Sequence, residues 1–427
     1  MLKKIITLNL LVVFCLFFTI GSLSATVKNR SEIDENRTWN LDKIYPSDEA
    51  WEKAKAEVSE EILKVSEFKG TLANSPEDLL ACLKFNTELG KKFSRLYYYA
   101  SLKSDQDTRN ANYSAKKKQL SQMGTEYGAL AAYIDPEILE MKLETLSGYI
   151  ADNEELQDYQ MVLMDLHRTK EHTLSEKEER IIAEAGRMAG SPSSIFSTFV
   201  NAELPYPDVT LSNGETVTLN QAGYNLHRTS KNREDRKLVF DTFWKSMSAF
   251  KMTLGEKLYA NIKKDMFYSN VRNYDNTLES SLDRNNIDKE VYMSLVDNVN
   301  DNLGTFHRYL KLKARMPDID TLYYYDVYAP TVAGVDLNFT LEEAQDLVLE
   351  SLKPMGREYQ KTVKKAFNDR WIDFYPNTGK RSGAYSAGGI TDLHPFILMN
   401  YNGKYTDVST LAHELGHTMH SYFSNKT

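Results

Sequence analysis

Behind Ser47, apolar residues return every three or four positions, at Trp51, Ala54, Val58, Ile62 and Val65, and the serine is suited to close the first turn of a helix. This spacing gathers five side chains on one helical stripe, whereas a strand would need alternation at every second residue. The same signals recur along the chain. Ser75-Pro76-Glu77-Asp78 puts proline at a first helical position with acids in the first turn. Ser175 with Glu178, and Thr340 with Glu343, have capping-box spacing. A chain punctuated in this way is expected to be mainly α. Two stretches interrupt the pattern. In "PDVTLSNGETVTLN", residues 207–220, Val209 and Leu211 face Val217 and Leu219 across Asn213-Gly214, which predicts a small β-hairpin. Between Gly379 and Asp407 glycines surround the apolar run Phe396 to Met399, which predicts a short strand ending at Asn402-Gly403, with a last helix starting near Thr406 or Asp407.

With 427 residues, 41% hydrophobic and 26% charged, the chain is long and apolar enough for more than one core. The change of texture near residue 200 predicts an N-terminal helical domain over 26–200 and a second domain over 201–427. A net charge of -8 with no concentrated basic face excludes a dedicated nucleic-acid binder. Lys3 and Lys4 precede the apolar run Ile5 to Ile20, and small residues follow from Gly21 to Ala25. Residues 1–25 therefore read as a signal peptide, and the protein is expected to be exported to a periplasmic or extracellular location. Left uncleaved, the same segment would anchor the chain to a membrane. Beyond Ala25 only Cys82 carries a thiol, so no intramolecular disulfide is expected.

The residues with chemical potential lie in "TLAHELGHTMHSYF", Thr410 to Phe423. On a helix, His413 and His417 are one turn apart and aim at one point, as two nitrogen ligands of a zinc ion must. Val408, Leu411, Leu415, Met419 and Tyr422 form a separate apolar face. Glu414 is rotated about 100° from His413. It is therefore placed to hold a metal-bound water and take its proton while a polarised amide carbonyl is attacked. A straight helix cannot add His420, at i+7, to the same tetrahedral ion, so His420 is expected in packing or support. Metzincins need glycine at 420 and histidine at 423; His420 and Phe423 exclude that subclass. A carboxylate third ligand on a later helix remains open, and the expectation is that it lies beyond residue 427. The apolar face of the motif helix is then expected to lack some of its partners. His167, His172, His227, His307 and His394 have no ligand spacing, and among them His394 stands nearest the glycine-rich strand region.

"KRSGAYS" (380–386), "HPFILMNYNG" (394–403) and "DVSTLAHELGHTMHSY" (407–422), in this order, resemble the M3, thimet-oligopeptidase-like metallopeptidases of the oligoendopeptidase F type. The similarity reaches back through "YNLHRTSKNREDRKLVFDTFW", "YASLKSDQDTRN" and "WNLDKIYPSDEAW". It implies a helix-rich, two-lobed zincin-type peptidase with a deep cleft that admits oligopeptides and excludes folded proteins. It matches His413 and His417 to zinc ligands and Glu414 to the general base. It also sets Gly383, Ala384 and Tyr385 beside the cleft, where an extended peptide substrate could add as a strand. The family's glutamate ligand and later oxyanion-stabilising groups are not among these residues. This polypeptide as written is therefore expected to bind its one zinc ion weakly and to turn over little. The competing expectation is an exported helical scaffold that binds peptides without hydrolysing them; a zinc hydrolase of non-peptide amides is a third.

Overall fold

The computed structural model describes residues 28–317, 319–330 and 337–426; the expected signal peptide lies outside them. Helix α1 (Asp48–Glu61) starts where Ser47 accepts a hydrogen bond from the Ala50 amide, and it buries Trp51 and Val58. Ser75 caps α2 (Pro76–Gln106) by accepting from the Asp78 amide. Helix α3 (Ala111–Leu130) returns along α2 and also meets α4 (Glu176–Ala189). Both predicted capping boxes form, at Ser175/Glu178 and at Thr340/Glu343. Helix α5 (Ser191–Thr198) then runs into a π-helical turn, Phe199–Glu203.

The hairpin consists of β1 (Asp208–Thr210) and β2 (Thr216–Thr218), with Val209 opposite Val217. In this register the loop is one residue longer than an Asn-Gly turn. Ser212, Asn213 and Gly214 form it, Gly214 takes φ +86°, and the Leu211 amide donates to the Glu215 carbonyl at 2.8 Å. A positive φ at the third loop position is what glycine supplies cheaply. Val209, Leu211, Val217 and Leu219 are all buried, packed with Val239 and Phe243 of α6 (Arg233–Ser248).

A second sheet positions the motif helix. Its strands β3 (Ile372–Asp373), β4 (Tyr385–Ala387) and β5 (Phe396–Leu398) lie in the order β3-β5-β4, with β3 parallel and β4 antiparallel to β5. The predicted apolar run has no polar alternation because both of its faces are covered. Phe396 and Leu398 enter a core with Trp39, Leu96, Leu120 and Ala387. Ile397 and Met399 enter another, built with α10 (Leu341–Ser351), α11 (Arg357–Asn368) and α12 (Tyr405–Ser424). The first of these cores draws side chains from both sides of the texture change near residue 200.

The expectation that α12 would lack apolar partners is not met. Leu411 and Leu415 are fully buried and Met419 nearly so, against Val348, Val363 and Ile397. Exposed apolar side chains instead gather on α7 (Lys251–Val271), α8 (Lys289–Asp301) and α9 (Leu303–Arg315), at Leu258, Met266, Leu295, Phe306 and Leu312.

Within β3, Asp373 is wholly buried. Lys380 Nζ donates to its Oδ1 at 2.6 Å and to the Tyr375 carbonyl at 2.7 Å, and Arg30 reaches both of its oxygens. Burial alone would raise the Asp373 pKa; attraction to Lys380 and Arg30 outweighs it and holds the carboxyl below its usual range. Removing one partner strands the other charge in the interior. Asp373→Ala should therefore cost about 3–5 kcal/mol in urea unfolding. In the native protein the contribution of this carboxylate is present above about pH 4 and is lost as pH falls through its lower folded value. Urea midpoints measured from pH 6 downward should show an acid-side loss that is shallower in Asp373→Asn.

Candidate active site

Helix α12 begins at Tyr405, a residue or two ahead of the sequence expectation, because Asp407 caps from inside. Its Oδ2 accepts from the amides of Asn402 at 2.9 Å and Lys404 at 3.0 Å. Two turns on, His413 and His417 point out of the helix on its exposed side. Their Nε2 atoms are 3.0 Å apart and their rings are nearly perpendicular, at 80°. Glu414, between them in sequence, is turned inward at 8% exposure.

Two convergent imidazole nitrogens at this separation suit a zinc ion, which takes each nitrogen at about 2.0–2.1 Å. Among the described residues, no group of three or more His, Cys, Asp or Glu side chains is arranged to hold a metal. The described residues thus present two donors here, with a carboxylate next to them in sequence. His420 lies exposed on the same helix and adds no third donor to such a group.

The structure sets β4 against α12. Gly383 takes φ +85° at the turn before the strand, and its carbonyl accepts from Asn400 Nδ2 at 2.8 Å. Ala384 packs on the α12 core. The Tyr385 side chain turns to the other face of the sheet. Its hydroxyl donates to Asp105 Oδ2 at 2.7 Å, and Arg381 also bonds Asp105, at 3.1 Å. Burial first, and the Asp105 carboxylate second, push the Tyr385 phenol well above its usual range. What β4 can offer a peptide at this residue is therefore backbone. Asp105 was invisible to sequence reasoning, since it sits at the end of α2, 280 positions from Tyr385. Ser386 was within reach as part of "GAYS", but its partner Thr418 was not: their hydroxyl oxygens are 2.7 Å apart.

His394 belongs to the packing around the sheet. Its ring lies flat on Trp371, 4.4 Å between centroids, and Nδ1 donates to the Pro395 carbonyl at 2.9 Å. Burial pushes its pKa down to about 4. A His394 NMR resonance, assigned with His394→Phe, should titrate near pH 4 and not near the ordinary value of about 6.5. The unfolded chain takes up that proton first, so this group's share of stability is present above about pH 6.5 and declines as pH falls toward 4. His394→Phe should flatten that part of the stability profile.

Comparison with known proteins places these features in a common setting. The profile of Peptidase family M3 matches residues 226–427, and that of Oligopeptidase F matches residues 137–206. Oligopeptidase PepF of Bacillus subtilis is 37% identical over 398 residues, covering 93% of this chain and 59% of that protein. An oligoendopeptidase F homolog of Lactococcus lactis is 34% identical over 400 residues, covering 93% of this chain and 66% of that protein. Oligoendopeptidase-F from Enterococcus faecium superimposes with a TM-score of 0.65 at 31% identity, over 74% of this chain and 61% of that one. The chain thus spans roughly three-fifths to two-thirds of the length of these relatives. Shared sequence along 93% of its length, together with a mostly helical fold around the HELGH helix, shows that this chain belongs to peptidase family M3, among the oligoendopeptidase F proteins.

Proposed function

We propose that this chain carries the metal-binding helix and substrate-strand region of an exported zinc endopeptidase that acts on short peptides. The observation that carries the reading is the pairing of His413 and His417 nitrogens at 3.0 Å on an exposed helix face, with Glu414, between them in sequence, buried on the same helix. A zinc ion held there would supply Lewis acidity to a substrate carbonyl and lower the pKa of a water ligand toward about 7. The other roles belong to the protein. His413 and His417 would hold the cation through their Nε2 atoms. Glu414 accepts the proton of the attacking water and returns it to the departing amine, and its burial keeps that carboxylate from competing for bulk solvent. The start of the edge strand β4 and the residues leading into it, Gly383 to Tyr385, receive an extended peptide through backbone groups, a mode that favours short, unfolded substrates. Export rests on Lys3 to Ala25; among the described residues no helix is long and apolar enough to cross a membrane.

The two-donor set favours a second reading as well, a peptide-binding scaffold without turnover, because no third ligand joins the histidines among the described residues. Zinc titration and a quenched-fluorescence peptide assay separate the two. One zinc per chain, bound weakly and lost in both His413→Ala and His417→Ala, is expected, with Glu414→Gln leaving the metal in place. Turnover should be low, and whatever is present should fall by roughly 10²–10⁴-fold in Glu414→Gln. Turnover indifferent to Glu414, or zinc bound independently of both histidines, would remove the basis for a peptidase. Peptide binding with no turnover at saturating zinc would favour the scaffold.

A further inference from the structure

Helix α12 meets β4 along a seam of small and polar residues distinct from its apolar face. Thr418, Ser421 and Asn425 recur at i, i+3 and i+7, so they share one side of the helix. Thr418 is fully buried and bonds Ser386. Asn425 Nδ2 donates to the Gly388 carbonyl at 2.8 Å. At Ser421 the backbone of Gly388 comes so close that a Cβ on Gly388 would lie 2.3 Å from the Ser421 Cβ and 2.4 Å from its Oγ. Gly388 does not take a positive φ, so space and not backbone conformation demands glycine there. On the opposite side the same constraint holds for Gly389, where a Cβ would meet the Tyr98 hydroxyl of α2 at 2.5 Å. The glycine pair after β4 is thus pinched between α2 and the motif helix.

We propose that Gly388 and Ser386 are positioning residues: the seam fixes the height of the edge strand relative to His413 and His417, so that a peptide added to β4 presents its carbonyl to the metal. This rests on the functional reading above. A Cβ at 388 could be accommodated only by parting strand and helix by roughly 1 Å, to reach ordinary contact distance. A misplacement of that size between substrate and reacting centre can cost about 100-fold. The metal pair itself should not notice, because both histidines ride on one helix.

That asymmetry supplies the test. Two fluorescent peptides of identical sequence, one ending in a hydroxamate that binds zinc and one in a plain amide, are titrated into the full chain loaded with zinc. Zinc affinity is measured separately by competition with a chromophoric chelator. In the unmodified protein the hydroxamate should tighten binding. In Gly388→Ala that gain should shrink by about tenfold or more, while zinc affinity and plain-peptide binding stay within about twofold. Adding Ser421→Gly removes both atoms in the way and should restore most of the gain. Ser386→Ala, which adds no bulk, should lose about three- to tenfold of the gain, and it keeps the question answerable if Gly388→Ala does not fold. An unchanged hydroxamate gain in folded Gly388→Ala or in Ser386→Ala overturns the positioning role. Failure of the unmodified chain to bind zinc through His413 and His417 instead overturns the functional reading, and the positioning role with it.

Discussion

Strand β5 has no free face, and the arrangement of the site follows from that. Phe396 and Leu398 look into the core of α1, α2 and α3, while Ile397 and Met399 look into the core of α10, α11 and α12. A three-residue strand gains little from its own hydrogen bonds, but close packing above and below leaves it one position. Strand β4 is bonded to it residue for residue, and α12 is seated on its back. The histidines, the carboxylate and the edge strand β4 are therefore placed by the packing around one apolar strand.

Much of this was legible in the sequence because it depends on local physics. Helix starts at Ser47, Ser75, Ser175 and Thr340 are set by side chains bonding amides within the same turn. The hairpin was readable too, though not its loop: whether Gly214 sits second or third in the turn depends on register, and burial of Val209 and Val217 against α6 settles it. His413, Glu414 and His417 were visible as a group because one helix carries all three. What pairing alone decides was not visible. Asp105 with Tyr385, Thr418 with Ser386 and Arg30 with Asp373 each join residues whose proximity no periodicity encodes. The expectation of an unpartnered α12 failed for the same reason, since its partners, Val348, Val363 and Ile397, come from three separate elements.

Two buried carboxylates inside the sheet region are each held by more than one donor. Asp373 takes bonds from Lys380 and Arg30, and Asp105 takes them from Tyr385 and Arg381. Lys380 and Arg381, in the segment that links β3 to β4, bond these two carboxylates, so the turn at Gly379 to Gly383 is anchored by charge where its backbone is least constrained by side chains. A glycine-rich turn needs such anchoring to hold one conformation, because glycine lowers the cost of the turn and raises the number of alternatives to it.

The segment Lys28 to Asn40 laces across residues 370–378. The Thr378 amide donates to the Lys28 carbonyl, the Phe374 amide to that of Arg37, and the Asn40 amide to that of Arg370, while Arg30 closes on Asp373 across 343 positions. A ribosome delivers this strap long before its partners, by about 20–70 s at ordinary elongation rates. The stretch beside the amino terminus thus stays open until nearly everything described has been synthesised, and the large loop it must close slows the final step. A clasp of this kind cannot fasten before residue 378 has left the ribosome, so the cores it spans must form with one of their borders still loose.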